Sequence, residues 1–179
     1  MTPSVRLEAR AIAELRHERA DPGAAWEHSL ALVVVEPAFH LPLAYEAFRD
    51  RGGRLRARRT IWRRDVDRER VSPFLMHVDL SPEELVPTFE VAEGMLDEEE
   101  FQRAVAELAA TRLPGYPPAG EMGLDGVTFE LALTVGWVWT RYRWWHSPPR
   151  EWEPLATFVR RFLALSERAV EATDASPPA

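Results

Sequence analysis

The sequence predicts an α+β fold: an antiparallel sheet of about five strands with helices packed on one face and a C-terminal hairpin-plus-helix unit. Apolar runs typical of strands are interleaved with segments whose apolar residues recur at helical spacing. Stretches rich in Gly, Pro and Asp separate these segments. With 179 residues, 46% of them hydrophobic, the chain is expected to form one domain over residues 1–170. We expect a disordered tail over 171–179.

The first half of the chain predicts a helix over residues 5–19, with a strand as the alternative because apolar residues also alternate there. The apolar run within 29–36 is typical of a buried strand. Residues 43–51 predict a short helix that ends at Gly52-Gly53. Segments 54–66 and 71–80 predict an antiparallel pair of strands, with the polar stretch 65–70 as its loop.

Two helix starts are predicted further along. Ser81 and Pro82 indicate a helix that Pro87 shortens, kinks or restarts. Asp97 is the candidate N-cap of a second helix, whose first turn carries three glutamates that complement the helix dipole.

The segment 124–165 holds five of the seven tryptophans and predicts a hairpin followed by a helix from about residue 152 to 168. A two-residue turn at Gly136-Trp137 would place residue 135 opposite 138 and residue 129 opposite 144. One hairpin face is then apolar, and the helix is expected to pack across it. The other face carries Glu130 opposite Arg143.

That second hairpin face is the candidate partner-binding surface. Tryptophan and arginine are the residues most enriched at binding hot spots, and the candidates on or beside this face are Trp137, Trp139, Arg141, Arg143 and Trp145. Three alternatives remain open: another layer covers the face, the arginine stems stack on the indoles, or the indoles stack on nucleic-acid bases.

The charge distribution is uneven. The chain carries −7 overall, which disfavours a nucleic-acid partner, yet residues 51–70 contain nine arginines and three acids. The candidate basic strand patch consists of Arg54, Arg56, Arg58 and Arg63. We favour a solvated strand face whose arginines pair with the chain's own acidic helices over a contact for an acidic partner. All 22 basic residues are arginine, so Schiff-base and P-loop lysine chemistry is excluded.

No catalytic signature emerges from the remaining motifs. The chain has no cysteine, and His77 and Asp79 are the candidate pair for the rival function, a small metal-dependent hydrolase. No cofactor is expected. No apolar run approaches the length that spans a bilayer, and the N-terminus lacks the apolar core of a secretory signal, so we expect a cytoplasmic protein.

The C-terminal unit resembles a module of small uncharacterised bacterial proteins. The resemblance is carried by Asp-Gly before a strand, then Arg-Tyr-Arg-Trp-Trp, then Pro-Pro-x-Glu-Trp leading into a helix. It covers less than a quarter of the chain and implies continuity of fold only, with no functional residue.

The function hypothesis we favour is a non-catalytic cytoplasmic interaction protein, of the type that serves as an immunity or accessory factor in a bacterial conflict system. It rests on the missing catalytic signature, the acidic balance and the Trp/Arg surface. The expected partner is another protein, with a homodimer as a further possibility.

Overall fold

The computed structural model describes residues 3–17, 29–71, 86–114, 126–135 and 138–174. Six strands form one sheet in which all neighbours are antiparallel: β1 (Ser29–Pro37), β2 (Leu43–Arg49), β3 (Leu55–Trp62), β4 (Phe89–Met95), β5 (Val127–Val135) and β6 (Val138–Trp145). Their order is β4-β3-β2-β1-β5-β6. The described helices are α1 (Pro3–Leu15), α2 (Arg64–Val71), α3 (Glu98–Ala109) and α4 (Glu153–Asp174), with a 3₁₀ turn over Arg150–Trp152.

The first face of the sheet carries the larger core and is covered by α3 and α4. Strands β1 and β5 contribute Val33 and Leu131, which are fully buried. Phe162 of α4 lies against Phe158 and Phe101, with ring centroids 6.0 and 5.9 Å apart. Burying a side chain of this size contributes about 1.5–3 kcal/mol relative to leaving it exposed.

The second face is covered by α1, with Val71 of α2 in the same cluster. Leu7 and Leu15 of α1 pack with Leu32 and Val34 of β1. Helices therefore lie on both faces, which corrects the prediction that they pack on one face: α3 and α4 pack together on the first face, and α1 and α2 belong to the second. The double covering explains why β1 is apolar at consecutive positions, since each of its faces meets a helix layer.

The C-terminal unit confirms the register predicted from the sequence. Val135 pairs with Val138, and Phe129 pairs with Trp144. Trp144 is 6% exposed and stacks on Phe129, with centroids 5.8 Å apart. Trp152, in the 3₁₀ turn that leads into α4, meets Trp144 edge to face, with ring centroids 6.5 Å apart. The apolar face of the hairpin thus packs against the helix that follows it, as the spacing predicts.

Strand β2 corrects the helix that we predicted over residues 43–51. Ala44 and Glu46 project to the second face, Tyr45 and Ala47 project to the first, and all four are buried. A strand enclosed on both faces has no polar side, so its sequence lacks the alternation that marks a half-exposed strand. The predicted end of that helix is instead the β2–β3 turn, where Gly53 has a φ of 77°.

The region around α2 and β4 corrects two further predictions. The stretch 65–70, predicted as a hairpin loop, lies in α2. The neighbour of β3 is β4, which lies where we predicted a helix interrupted at Pro87. The predicted strand 71–80 lies outside the described residues, except for Val71 at the end of α2. The sheet therefore has six strands rather than about five.

The starts of α3 and α4 lie close to the predicted positions, and the end of α4 does not. Asp97 caps α3, accepting a hydrogen bond from the Glu100 amide at 2.9 Å. Helix α4 continues to Asp174, past the position at which we expected the tail to begin. The reason is packing, because Ala169 and Val170 are still buried in the last turns.

Candidate functional site

Four of the five candidate partner-binding residues, Trp139, Arg141, Arg143 and Trp145, fall on one strand, β6, at one end of the described sheet. Arg141, Arg143 and Trp145 pair with Ala132, Glu130 and Thr128 of β5, so their side chains share the second face. Trp139 belongs to the same strand, but its side chain lies outside the described part of the chain, as does all of Trp137.

Glu130 is the buried centre of this site, with 4% of its surface exposed. Its Oε1 lies 3.1 Å from Nε of Arg141, and its Oε2 lies 3.1 Å from Nε of Arg16. Arg143, the residue directly opposite in the register, lies instead 3.8 Å from Glu36 of β1. The carboxylate is therefore neutralised mainly by a neighbour on β6 and by a residue just beyond α1.

Arg16 ties the end of α1 to the sheet. Its Nη2 donates to Oε1 of Glu36 at 2.5 Å, in addition to the contact with Glu130. The next residue, His17, has a φ of 57° and donates its backbone N–H to the Glu14 carbonyl at 3.1 Å, which ends the helix. Sequence reasoning did not identify Arg16, and the signal that could have found it is the buried glutamate itself, which requires a cationic partner.

Burial dominates the electrostatics of Glu130. The loss of solvation raises the pKa of this carboxyl above its ordinary value, and the nearby Arg16, Arg141 and Arg143 oppose that effect without cancelling it. The ion pairs therefore offset the cost of desolvating Glu130 and add little net stability, as is common for buried charges.

We expect this shift to appear in the pH dependence of stability. A raised pKa means that the native state holds the Glu130 proton more firmly than the unfolded state does. The free energy of unfolding should then fall as pH rises from about 4.5 through the raised native pKa. Urea titrations between about pH 4 and 7 should show this fall for the wild type. The slope should be smaller for Glu130→Gln.

Glu99→Gln is the matched control for that measurement, since the Glu99 side chain is 87% exposed. Its stability curve should run parallel to that of the wild type. If Glu130→Gln also ran parallel, burial would not raise the pKa of Glu130.

The accessible part of the site consists of Arg143 and Trp145. The Arg143 side chain is 55% exposed, and Trp145 is partly exposed. The Trp145 indole lies directly on Gly126, where a Cβ would come 2.6 Å from Cζ2 of the indole. The ring of His146 lies beside it, with centroids 5.6 Å apart. Gly126 thus leaves room for the indole to contact the backbone just before β5.

The basic strand patch is neutralised by the chain's own acids. Each of its four members has a carboxylate oxygen within 4 Å: Arg54 with Asp50, Arg56 with Glu93, Arg58 with Glu46 and Glu93, and Arg63 with Asp65 and Glu90. The Arg58 guanidinium also lies 4.5 Å from the centre of the Phe48 ring. These pairs favour the solvated, internally paired interpretation. The main partners are acids of the neighbouring strands, Glu46, Glu90 and Glu93, rather than the acidic helices that we expected.

His77 and Asp79 lie outside the described residues. In the part of the chain that the structure describes, no group of three or more His, Cys, Asp or Glu side chains is placed to hold a metal ion. Within the same residues, no helix combines the length and apolar character needed to cross a membrane.

Comparison with known proteins finds no matching family model, no matching curated protein and no matching solved structure. The resemblance of the C-terminal unit to small bacterial proteins therefore stays a prediction, and the site has to be interpreted from its own geometry.

Proposed function

We propose that this chain is a non-catalytic cytoplasmic protein-interaction module that binds another protein through the β6 surface. We define the β6 surface as Arg143 and Trp145, together with Arg141 and Trp139 of the same strand and the sequence candidate Trp137. The observation that carries the proposal is the exposure of Arg143 and Trp145 on the last strand of the sheet. A rigid aromatic side chain beside an accessible guanidinium is the composition of a binding hot spot.

Contacts within the chain hold Trp145 and Arg141 of this surface, which lowers the entropy that these two side chains lose on binding. Trp145 rests on Gly126, and Arg141 is held by Glu130. Arg16 fixes the neighbouring end of α1 to the same carboxylate. Few groups would have to be ordered when a partner binds.

The overall charge favours a basic partner. A net charge of −7 attracts positively charged proteins at long range and speeds their association. An acidic protein that binds basic proteins acting on nucleic acids is typical of the immunity and accessory factors of bacterial conflict systems. That biological role is part of the proposal.

The test begins with site-specific cross-linking in cells. The photoreactive residue p-benzoylphenylalanine replaces Trp145 in one variant and Arg103 in a second. Arg103 lies on α3, and its side chain is 56% exposed, close to the exposure of Arg143. A protein captured from position 145 and not from position 103 is then purified for affinity measurements.

Charge reversal at Arg143 should weaken binding of that protein by about tenfold or more, as expected for loss of a hot-spot residue. Arg103→Glu, the matched control, should leave the affinity unchanged. Both variants should show the far-UV circular dichroism and urea midpoint of a folded protein. Equal affinities for wild type and Arg143→Glu, or no capture specific to position 145, would reject the proposed function.

A further inference from the structure

Strand β6 is an edge strand: it ends the strand order, and no described strand lies beyond it. An edge strand presents backbone N–H and C=O groups that can pair with another chain. Which residues present these groups depends on the phase of the hydrogen bonds between β5 and β6.

Two hydrogen bonds just beyond the strand ends establish that phase. The His146 N–H donates to the Val127 carbonyl at 2.7 Å, so residues 127 and 146 form a bonded pair. On the other side of β5, the Ala38 N–H donates to the Gly126 carbonyl at 2.9 Å. Odd-numbered residues of β5 therefore bond to β6, and even-numbered residues bond to β1.

Bonded and non-bonded pairs alternate along an antiparallel ladder. The bonded partners on β6 are then the even-numbered residues, 140, 142 and 144, which pair with 133, 131 and 129. The odd-numbered residues direct their backbone groups away from β5, toward the outer edge. Among these are Arg143 and Trp145, the two accessible residues of the β6 surface.

Side chains and outward backbone groups therefore belong to the same residues. In an antiparallel pair, residues directly opposite each other share a face of the sheet. A strand that bonds to the backbone of Arg143 and Trp145 would place its own bonded residues on the second face, beside the guanidinium and the indole. One set of alternating residues in the partner would supply both the main-chain bonds and the side-chain contacts.

We infer that the partner binds by adding an extended segment to β6 as a seventh, antiparallel strand, with a carboxylate side chain opposite Arg143. Main-chain hydrogen bonds supply affinity in strand addition, and alternate side chains supply specificity. The carboxylate follows from charge, because the Arg143 guanidinium is 55% exposed and lies 3.8 Å from Glu36, an acid that Arg16 also binds. This inference rests on the proposed function and specifies how the same surface is used.

A second copy of the chain fits this edge less well. The two longest symmetric registers that bond the odd-numbered residues of both copies would set Arg141 opposite Arg143 or opposite a second Arg141. Like charges directly opposite each other are destabilising. Arginine on an edge strand thus discourages self-pairing. It still accepts a segment with carboxylates at alternate positions.

Synthetic octapeptides test the inference directly on the full chain. The probe is acetyl-(Val-Glu)₄-amide, and acetyl-(Val-Lys)₄-amide is the control of opposite charge. We expect the Val-Glu peptide to bind at least about tenfold more tightly by isothermal titration calorimetry. Its binding should slow hydrogen exchange at the amides of Arg143 and Trp145. Charge reversal at Arg143 should weaken binding, and Arg103→Glu should not.

Backbone methylation separates strand addition from simple charge attraction. Two further Val-Glu peptides carry N-methyl groups on all four glutamates or on all four valines, so they match in composition and charge. Methylation of the glutamates should abolish binding, because their N–H groups face β6. Methylation of the valines should preserve it, because theirs face solvent.

Three results would overturn the inference: equal binding of the two methylated peptides, no binding of the unmodified Val-Glu peptide, or a homodimer whose protected amides include Arg143 and Trp145. Any of these could occur while Arg143→Glu still weakens the cross-linked partner. In that case the interaction module stands and strand addition is rejected. Failure of the cross-linking test would instead reject the proposed function itself.

Discussion

Replacing Asp67 with alanine is expected to lower the free energy of unfolding by about 3–5 kcal/mol. Asp67 lies in α2 and is fully buried. Its Oδ2 accepts hydrogen bonds from the Trp62 indole N–H at 2.7 Å and the Thr88 amide at 2.9 Å. Its Oδ1 accepts from the Thr88 hydroxyl at 2.7 Å and from Arg70 at 2.9 Å. One carboxylate thus joins β3, α2 and the approach to β4.

The size of the effect follows from the donors left behind. A buried donor without an acceptor costs about 1–3 kcal/mol, and Asp67→Ala removes the acceptor of both Trp62 and Thr88. Asp67→Asn keeps the side-chain volume and one acceptor oxygen, so it should lower the free energy of unfolding by less than Asp67→Ala does. Urea unfolding followed by tryptophan fluorescence measures both changes.

Glu69→Ala is the matched control, since Glu69 is exposed on the same helix. Its effect should stay within about 0.5 kcal/mol of the wild type. A similar loss for Glu69→Ala and Asp67→Ala would mean that helix propensity, rather than the buried carboxylate, determines the result.

Gly94→Ala is expected to destabilise the fold by about 1–3 kcal/mol or more, because β4 and α4 are in backbone contact at this position. A Cβ on Gly94 would lie 1.9 Å from the Ala169 carbonyl oxygen and 2.3 Å from its carbon. The strand and the helix would have to separate, which would open the first-face core. Thermal unfolding and urea unfolding both report this loss.

Two variants make that prediction specific. Gly52→Ala introduces the same methyl group in the exposed β2–β3 turn, where the nearest atom is the side-chain oxygen of Asp50 at 3.2 Å. Its effect should stay within about 0.5 kcal/mol. Adding Ala169→Gly to Gly94→Ala should give no rescue, because the obstructing atoms are backbone. A full rescue would show that the contact is made by the Ala169 side chain.

The elements predicted well are those whose ends are marked by local signals, such as a helix cap or a tight turn. Asp97 was identified as a cap because its side chain and the helix it begins are adjacent in sequence. The β5–β6 register followed from the two-residue turn and from the alternation of apolar residues with Glu130 and Arg143. In both cases the deciding interactions link residues that are near neighbours along the chain.

The errors lie where long-range packing overrides local preference. The apolar residues of β2 are spaced as in a helix. The segment nevertheless lies between β1 and β3 and forms backbone hydrogen bonds with a strand on each side. Every backbone group in that position finds a partner only if the segment is extended. The site shows the same limit: Arg16 and Glu130 are far apart in sequence and meet only because α1 crosses the second face beside β5.

By itself the sequence determined the α+β class, the hairpin register and the concentration of Trp and Arg on β6, because spacing and turn chemistry act over a few residues. The tertiary structure alone decided which arginines are held by carboxylates, that helices cover both faces, and that β6 ends the sheet. Those outcomes depend on contacts between distant segments, whose geometry no local pattern contains. Arg143 and Trp145 are candidates from composition, and their place on an edge with outward-facing backbone groups follows from the strand order and the phase of the β5–β6 hydrogen bonds.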